Sequence, residues 1–187
     1  MSNADTTTVT GGATPPATVK VWDPFVRVFH WSLATLLVVA FATGDHVPQV
    51  HIPAGYAIGG LIALRIAWGF IGPAHARFSS FVKSPREVLA YLRDVALFRA
   101  PRHLGHNPAG GAMVITLLLT LAATGTTGYL LTTDTYWGAE WLEEVHEALA
   151  NLTIGLIVVH VLGVLLSSIE HGENLVKAMI NGRKRRQ

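Results

Sequence analysis

Four long apolar stretches, at roughly 25–44, 52–72, 109–131 and 146–169, alternate with polar and charged segments along the chain. A helix needs about 20 residues to cross a bilayer core of about 30 Å, and each stretch supplies at least that. The pattern therefore predicts an all-α integral membrane protein, a bundle of four transmembrane helices. Residues 1–20, mostly Thr, Ala, Gly and Pro, cannot bury apolar surface and read as a flexible tail. Residues 21–180 then form one transmembrane domain, and 181–187 a basic tail.

The connection at 73–108 carries a pattern of its own. Ser84-Pro85 predicts a helix N-terminus, with Glu87 placing acid in the first turn. Val88, Leu89, Leu92, Val95, Ala96 and Leu97 follow at helical spacing beside Arg86, Arg93 and Arg99. This predicts a short amphipathic helix between spans 2 and 3, lying on the membrane surface or docking a partner.

Composition narrows the class further. The chain has 187 residues, 50% hydrophobic and 14% charged, against about 25% charged in soluble domains. Neither a disordered chain nor an ordinary water-soluble core fits. With no cysteine there is no disulfide framework, thiolate zinc site, iron–sulfur cluster, covalent c-type haem or cysteine nucleophile. Lys and Arg cluster between Arg77 and Arg102 and between Lys177 and Arg186. The segments 45–53 and 132–145 hold none, and carry Asp45, Asp134, Glu140, Glu143 and Glu144 instead. That alternation follows the positive-inside rule, with both termini cytoplasmic. The basic balance reports topology, so nucleic acid is not an expected partner.

Histidine in a membrane span marks a functional site by default. His30 falls in the first span, His146 and His160 in or at the edge of the fourth, and His46 and His51 just before the second. Fourteen residues separate His146 from His160, about 40° short of four turns, so both leave nearly one helix face about 21 Å apart. Antiparallel spans then match depths: His51 with His146 near the outer surface, His30 with His160 toward the cytoplasm. Two such bis-histidine pairs suit two b haems in a four-helix bundle. Zinc would want three or four ligands at one level.

Fourteen-residue intervals recur from His30 to Gly44, His51 to Arg65 and Gly111 to Gly125. Glycine permits close approach to a haem, so Gly44 and Gly125 are candidates at the outer group and Gly111 at the inner one. Packing between helices is the alternative. Arg65, alone inside a span without an acid, needs an anionic partner; an inner-haem propionate or snorkelling to the surface would satisfy it.

The chain resembles the bacterial cytochrome b561 family, related to the cytochrome b subunits of nickel–iron hydrogenases. The resemblance rests on Val21-Trp22-Asp23, Arg27, His30-Trp31, His51 with Gly55-Tyr56, and Arg65-Ile66-Ala67-Trp68-Gly69. It continues through Gly105-His106-Asn107-Pro108, His146-Glu147-Ala148, His160 and His171-Gly172-Glu173-Asn174-Leu175. The family implies four transmembrane helices in the bacterial inner membrane, two b haems and exchange with the quinone pool. Its ligand pattern falls on His30, His51, His146 and His160. Pro53, two residues after His51, departs from an uninterrupted helix start, by fixing a first turn or kinking a helix that begins near Pro48. His46 therefore stands as a rival outer ligand. His171, just past span 4, is a candidate for a quinone headgroup or a simple helix end; His75, His103 and His106 read as surface or loop-structuring residues.

The expected function is electron transfer across the membrane between quinone and a redox partner. The acidic outer loops suggest a basic periplasmic c-type cytochrome as that partner. A superoxide:quinone oxidoreductase is the enzymatic alternative, although its outer entrance would want cations that these loops lack. A non-redox transporter or anchor is the third class.

Overall fold

The computed structural model describes residues 18–44 and 46–186; most of the expected N-terminal tail, Asp45 and Gln187 lie outside them. In chain order come β1 (Thr18–Lys20), α1 (Pro24–Thr43), α2 (Pro48–Ile71), a 3₁₀ turn (Ala74–Ala76) and α3 (Phe78–Phe81). Then follow α4 (Pro85–Ala96), α5 (Pro108–Leu131), α6 (Glu140–Glu170), α7 (Leu175–Asn181) and β2 (Arg183–Arg185). Proline in the first turn opens α1, α2, α4 and α5, where its missing N–H costs no helical bond. Asp23 caps α1 by accepting from the Val26 amide at 3.1 Å, and Asn107 caps α5 by accepting from Gly110 at 2.7 Å. Ser84 and Glu87 close a reciprocal capping box on α4, as the sequence pattern predicts.

The four long helices are apolar enough to cross a membrane, and they carry apolar side chains outward: Val38 is 70% exposed and Phe70 69%. A water-soluble protein would bury such residues; a lipid-solvated bundle has no reason to. Two helices start earlier than the hydropathy pattern predicts. α2 begins at Pro48, which puts His51 inside the helix and Pro53 within its second turn. α6 begins at Glu140 and runs for 31 residues, because its acidic first turn suits the helix dipole though it is not apolar.

α1 packs on α2, α2 on α5 and α5 on α6, while no comparable packing joins α1 to α6. The core between them is Phe29 and Ala40 of α1, Ala54, Ile58 and Ile62 of α2, and Leu118 and Leu121 of α5. Along α2 the inward stripe starts at His51, continues through Ala54, Ile58 and Ile62, and ends on buried Arg65 and Gly69. Hydrocarbon thus occupies the middle of that face and polar chemistry its two ends.

Residues 18–20, the described end of the N-terminal segment, meet the C-terminal segment. β1 and β2 pair antiparallel, with Val19 opposite Lys184, so the all-helical bundle carries one small two-stranded ladder. Gly182 makes the turn from α7 into β2 at φ 79°, and a Cβ there would lie 2.7 Å from the Trp22 carbonyl. Below the ladder, Arg102 donates to Glu173 at 2.6 Å and Lys184 donates to the His103 carbonyl at 2.8 Å. Burial works to raise the Glu173 carboxyl, but the Arg102 hydrogen bond and the Lys184 charge prevail and hold it below the usual carboxylate range. These long-range polar contacts order residues whose composition alone promises only solvation.

Candidate functional site

Two pairs of imidazoles face one another inside the bundle. His51 of α2 and His146 of α6 have ring centroids 6.1 Å apart, and His30 of α1 and His160 of α6 have them 6.4 Å apart. A ring nitrogen binds a transition metal at about 2.0–2.1 Å with the centroid roughly 1 Å behind it. Two trans imidazoles on one metal therefore have centroids about 6 Å apart, and both pairs have that spacing.

The first pair is oriented by the backbone. His51 Nδ1 lies 2.8 Å from the Ala40 carbonyl, and His146 Nδ1 lies 3.0 Å from both the Thr124 carbonyl and Thr127 Oγ1. A carbonyl only accepts, so each Nδ1 carries the proton and donates it. Each Nε2 is left with a free lone pair, the arrangement that fixes tautomer and ring direction in metal-binding histidines. In the second pair His30 Nδ1 is buried without a hydrogen-bond partner, and Trp31 stands edge-on to the His30 ring at 5.2 Å. Between the pairs, halfway along α6, buried Thr153 bonds its own helix through the Leu149 carbonyl at 2.8 Å.

Among the described residues no three His, Asp or Glu side chains converge as a metal would require. Among the described residues each pair thus offers two imidazole rings and no further metal-binding side chain. A metal held in a planar tetradentate ring fits that set; a bare ion does not.

The other predicted residues are placed as follows. His46 is exposed in the turn before α2, and it is His51 whose ring faces His146. Gly44 lies beside His51, its notional Cβ 3.7 Å from that ring's Nδ1, and Gly125 meets nothing within 4 Å. Gly111 packs against Phe81. A Cβ there would lie 2.4 Å from the Phe81 carbonyl, so this glycine admits α3 against the first turn of α5. His171 is half-buried at the C-cap of α6, its carbonyl accepting from Arg185 at 3.2 Å. Arg65 is 3% exposed and folded under residues 74–78. Its Nη2 donates to the Ala76 carbonyl at 3.0 Å, and its guanidinium sits 5.3 Å from the Phe78 ring centre. It does not snorkel, and its Nη1 is buried without a partner.

Two residues of the site are invisible to spacing arguments. A Cβ on Gly128 would lie 2.9 Å from His146 Cε1, so that glycine makes room for the imidazole. His106 is no surface residue: it is held between Trp22 at 4.7 Å and Phe81 at 4.6 Å, with Nδ1 buried and unpartnered. Burial, followed by the positive charges of Arg65 and Lys184, lowers its pKa from 6.5 to about 3. The folded state thus excludes a proton that the unfolded chain binds. Its stability is complete above pH 6.5 and declines as pH falls toward 3, by about 2 kcal/mol at pH 5. Thermal melts across that range should show this loss, and His106→Gln should flatten it.

A family model described as prokaryotic cytochrome b561 matches residues 21–182. Similar proteins include a probable Ni/Fe-hydrogenase B-type cytochrome subunit of Bradyrhizobium diazoefficiens, 25% identical over 89% of this chain and 86% of the relative. Its namesake in Rhizobium leguminosarum bv. viciae is 23% identical over 89% and 88%. A probable Ni/Fe-hydrogenase 1 B-type cytochrome subunit of Escherichia coli K12 is 24% identical over 87% and 88%. No solved structure matches the chain significantly.

Proposed function

Because the chain belongs to the prokaryotic cytochrome b561 family, we propose that it holds two b haems and carries electrons across the bacterial inner membrane, between the quinone pool and a redox protein. The two histidine pairs, at 6.1 and 6.4 Å, are the observation that carries this reading. His51 and His146 hold the outer group, their Nδ1 protons anchored on α1 and α5 so that each Nε2 points into the gap. His30 and His160 hold the inner one. When bound, haem supplies reversible one-electron chemistry at a potential set by its ligands and surroundings. The apolar stripe of α2 and the threonines of α5, which bond their own helix, keep other donors away from the gap. Haem quantified on purified protein should come to two per chain, with dithionite-reduced b-type bands. One haem per chain, or none, overturns the reading.

Arg65 neutralises an inner-haem propionate in this scheme, and its unpartnered buried Nη1 supports the assignment. Removing a cation favours the oxidised, more positive state. Arg65→Leu should therefore lower the potential of the inner haem by tens of millivolts in a redox titration and leave the outer one nearly unmoved. Gly44 and Gly125 would let the outer group approach the backbone. His171, half-buried at the inner end of α6, is the candidate to hydrogen-bond a quinone headgroup.

Orientation follows from charge: the end bearing Arg77–Arg102 and both described termini faces the cytoplasm. Outside, Asp134, Glu140, Glu143 and Glu144 are all exposed and would steer a basic partner face toward the outer haem. A periplasmic c-type cytochrome fits this surface. The relatives' names favour a second partner, a nickel–iron hydrogenase.

A further inference from the structure

α4 is packed on one side only. Tyr91 is buried and stands 5.5 Å from His103, and the helix rests on α5. Just before it, Phe81 lies against Gly111 in the first turn of α5, which puts α4 at the level where the membrane spans end. At about 100° per residue, Leu89 points about 160° away from Tyr91. Leu92 lies about 60° to one side of Leu89, and Arg93 and Arg86 about 40° and 60° to the other. Leu89 is 67% exposed and Leu92 47%.

The acids of the helix are already engaged. Glu87 closes the capping box with Ser84, and Asp94 pairs with Arg99 at 3.0 Å. Arg86 and Arg93 form no ion pair among the described residues. Immediately after the helix, Phe98 adopts φ 52° with its side chain 69% exposed. A bulky aromatic rarely enters the left-handed region, and such strain persists where the surroundings use it. Here it accompanies an exposed aromatic residue two positions past the end of the helix that carries the leucine ridge.

We propose that this edge of α4 binds anionic phospholipid headgroups of the leaflet at the basic end of the bundle. Leu89, Leu92 and Phe98 enter the boundary between headgroups and acyl chains, and Arg86 and Arg93 take the phosphates. In water the apolar ridge would be an unfavourable exposure, whereas at a bilayer surface it is buried area. Two uncompensated arginines beside it supply the charge preference.

The absence of cysteine permits single-site spin labelling in nanodiscs of phosphatidylcholine with and without phosphatidylglycerol. A label at Leu89→Cys should be more accessible to oxygen than to a water-soluble nickel chelate, and one at Ala90→Cys the reverse. Mass spectrometry of the intact protein should find phosphatidylglycerol retained over phosphatidylcholine. Arg86→Gln and Arg93→Gln should each weaken that preference about fivefold at low salt. Full nickel access at position 89 would mean that the ridge faces water. A label shielded from both reagents would mean that protein, such as a second copy, covers it. Either result, or a lipid preference unchanged in the double variant, overturns the proposal. Neither readout depends on haem occupancy, so failure here leaves the electron-transfer reading standing.

Discussion

His51→Ala and His146→Ala should each lose, or convert to high spin, the same single haem, leaving roughly half the haem of the parent protein. His30→Ala and His160→Ala should do so at the other haem. The expectation follows from the facing rings, at 6.1 Å for one pair and 6.4 Å for the other, together with two axial nitrogens being all that each pair offers. Removing one imidazole takes away a bond that no thiolate can replace, since the chain has no cysteine. Within a pair the residual optical and EPR spectra should coincide; between pairs they should be complementary. His46→Ala should keep both haems, because His46 is exposed and outside the pair. If His51→Ala retained both while His46→Ala lost one, the outer assignment would move to His46. Damage to one common site by His30→Ala and His146→Ala would refute the arrangement of two stacked sites altogether.

Gly128→Ala should abolish most occupancy of the outer haem and spare the inner one, the second large effect expected. The added methyl carbon would lie 2.9 Å from His146 Cε1, closer than carbon atoms approach without one of them moving. The imidazole has little freedom to yield, because its Nδ1 is tied to the Thr124 carbonyl and Thr127 hydroxyl of α5, the helix that carries Gly128. Nor can the backbone retreat easily, since α5 and α6 pack extensively against each other. The ring must tilt, which would turn its Nε2 away from any group held between it and His51. Gly125→Ala is the informative comparison: its Cβ meets no protein atom within 4 Å. It should leave the fold intact and lower outer-haem retention only if the haem itself lies against that glycine. Haem stoichiometry and low-spin EPR amplitudes on the two variants separate a clash with histidine from a clash with cofactor. Equal retention in Gly128→Ala and the parent would show that His146 needs no such clearance.

Features that depend on local periodicity and composition are legible in the chain before it folds. Hydropathy located four spans, Ser84-Pro85 with Glu87 located the start of α4, and helical spacing put His146 and His160 on one face. Antiparallel order then matched their depths to His51 and His30, since alternating spans leave few choices. Whatever turns on which faces meet is set by packing. Gly111 and Gly128 are alike as glycines in one apolar helix, yet one lies under the Phe81 carbonyl and the other under the His146 ring. Arg65 could have reached the surface, and lies instead beneath the Ala76 carbonyl and Phe78. The basic residues at 183–185 would be a solvated tail anywhere else, and are ordered here by Glu173 and by pairing with residues 18–20. Those outcomes rest on contacts between residues far apart in the chain, whose energies depend on shape and mutual orientation. A pattern that repeats every three or four residues reports which way a side chain points along its own helix, and carries no information about what it will meet there.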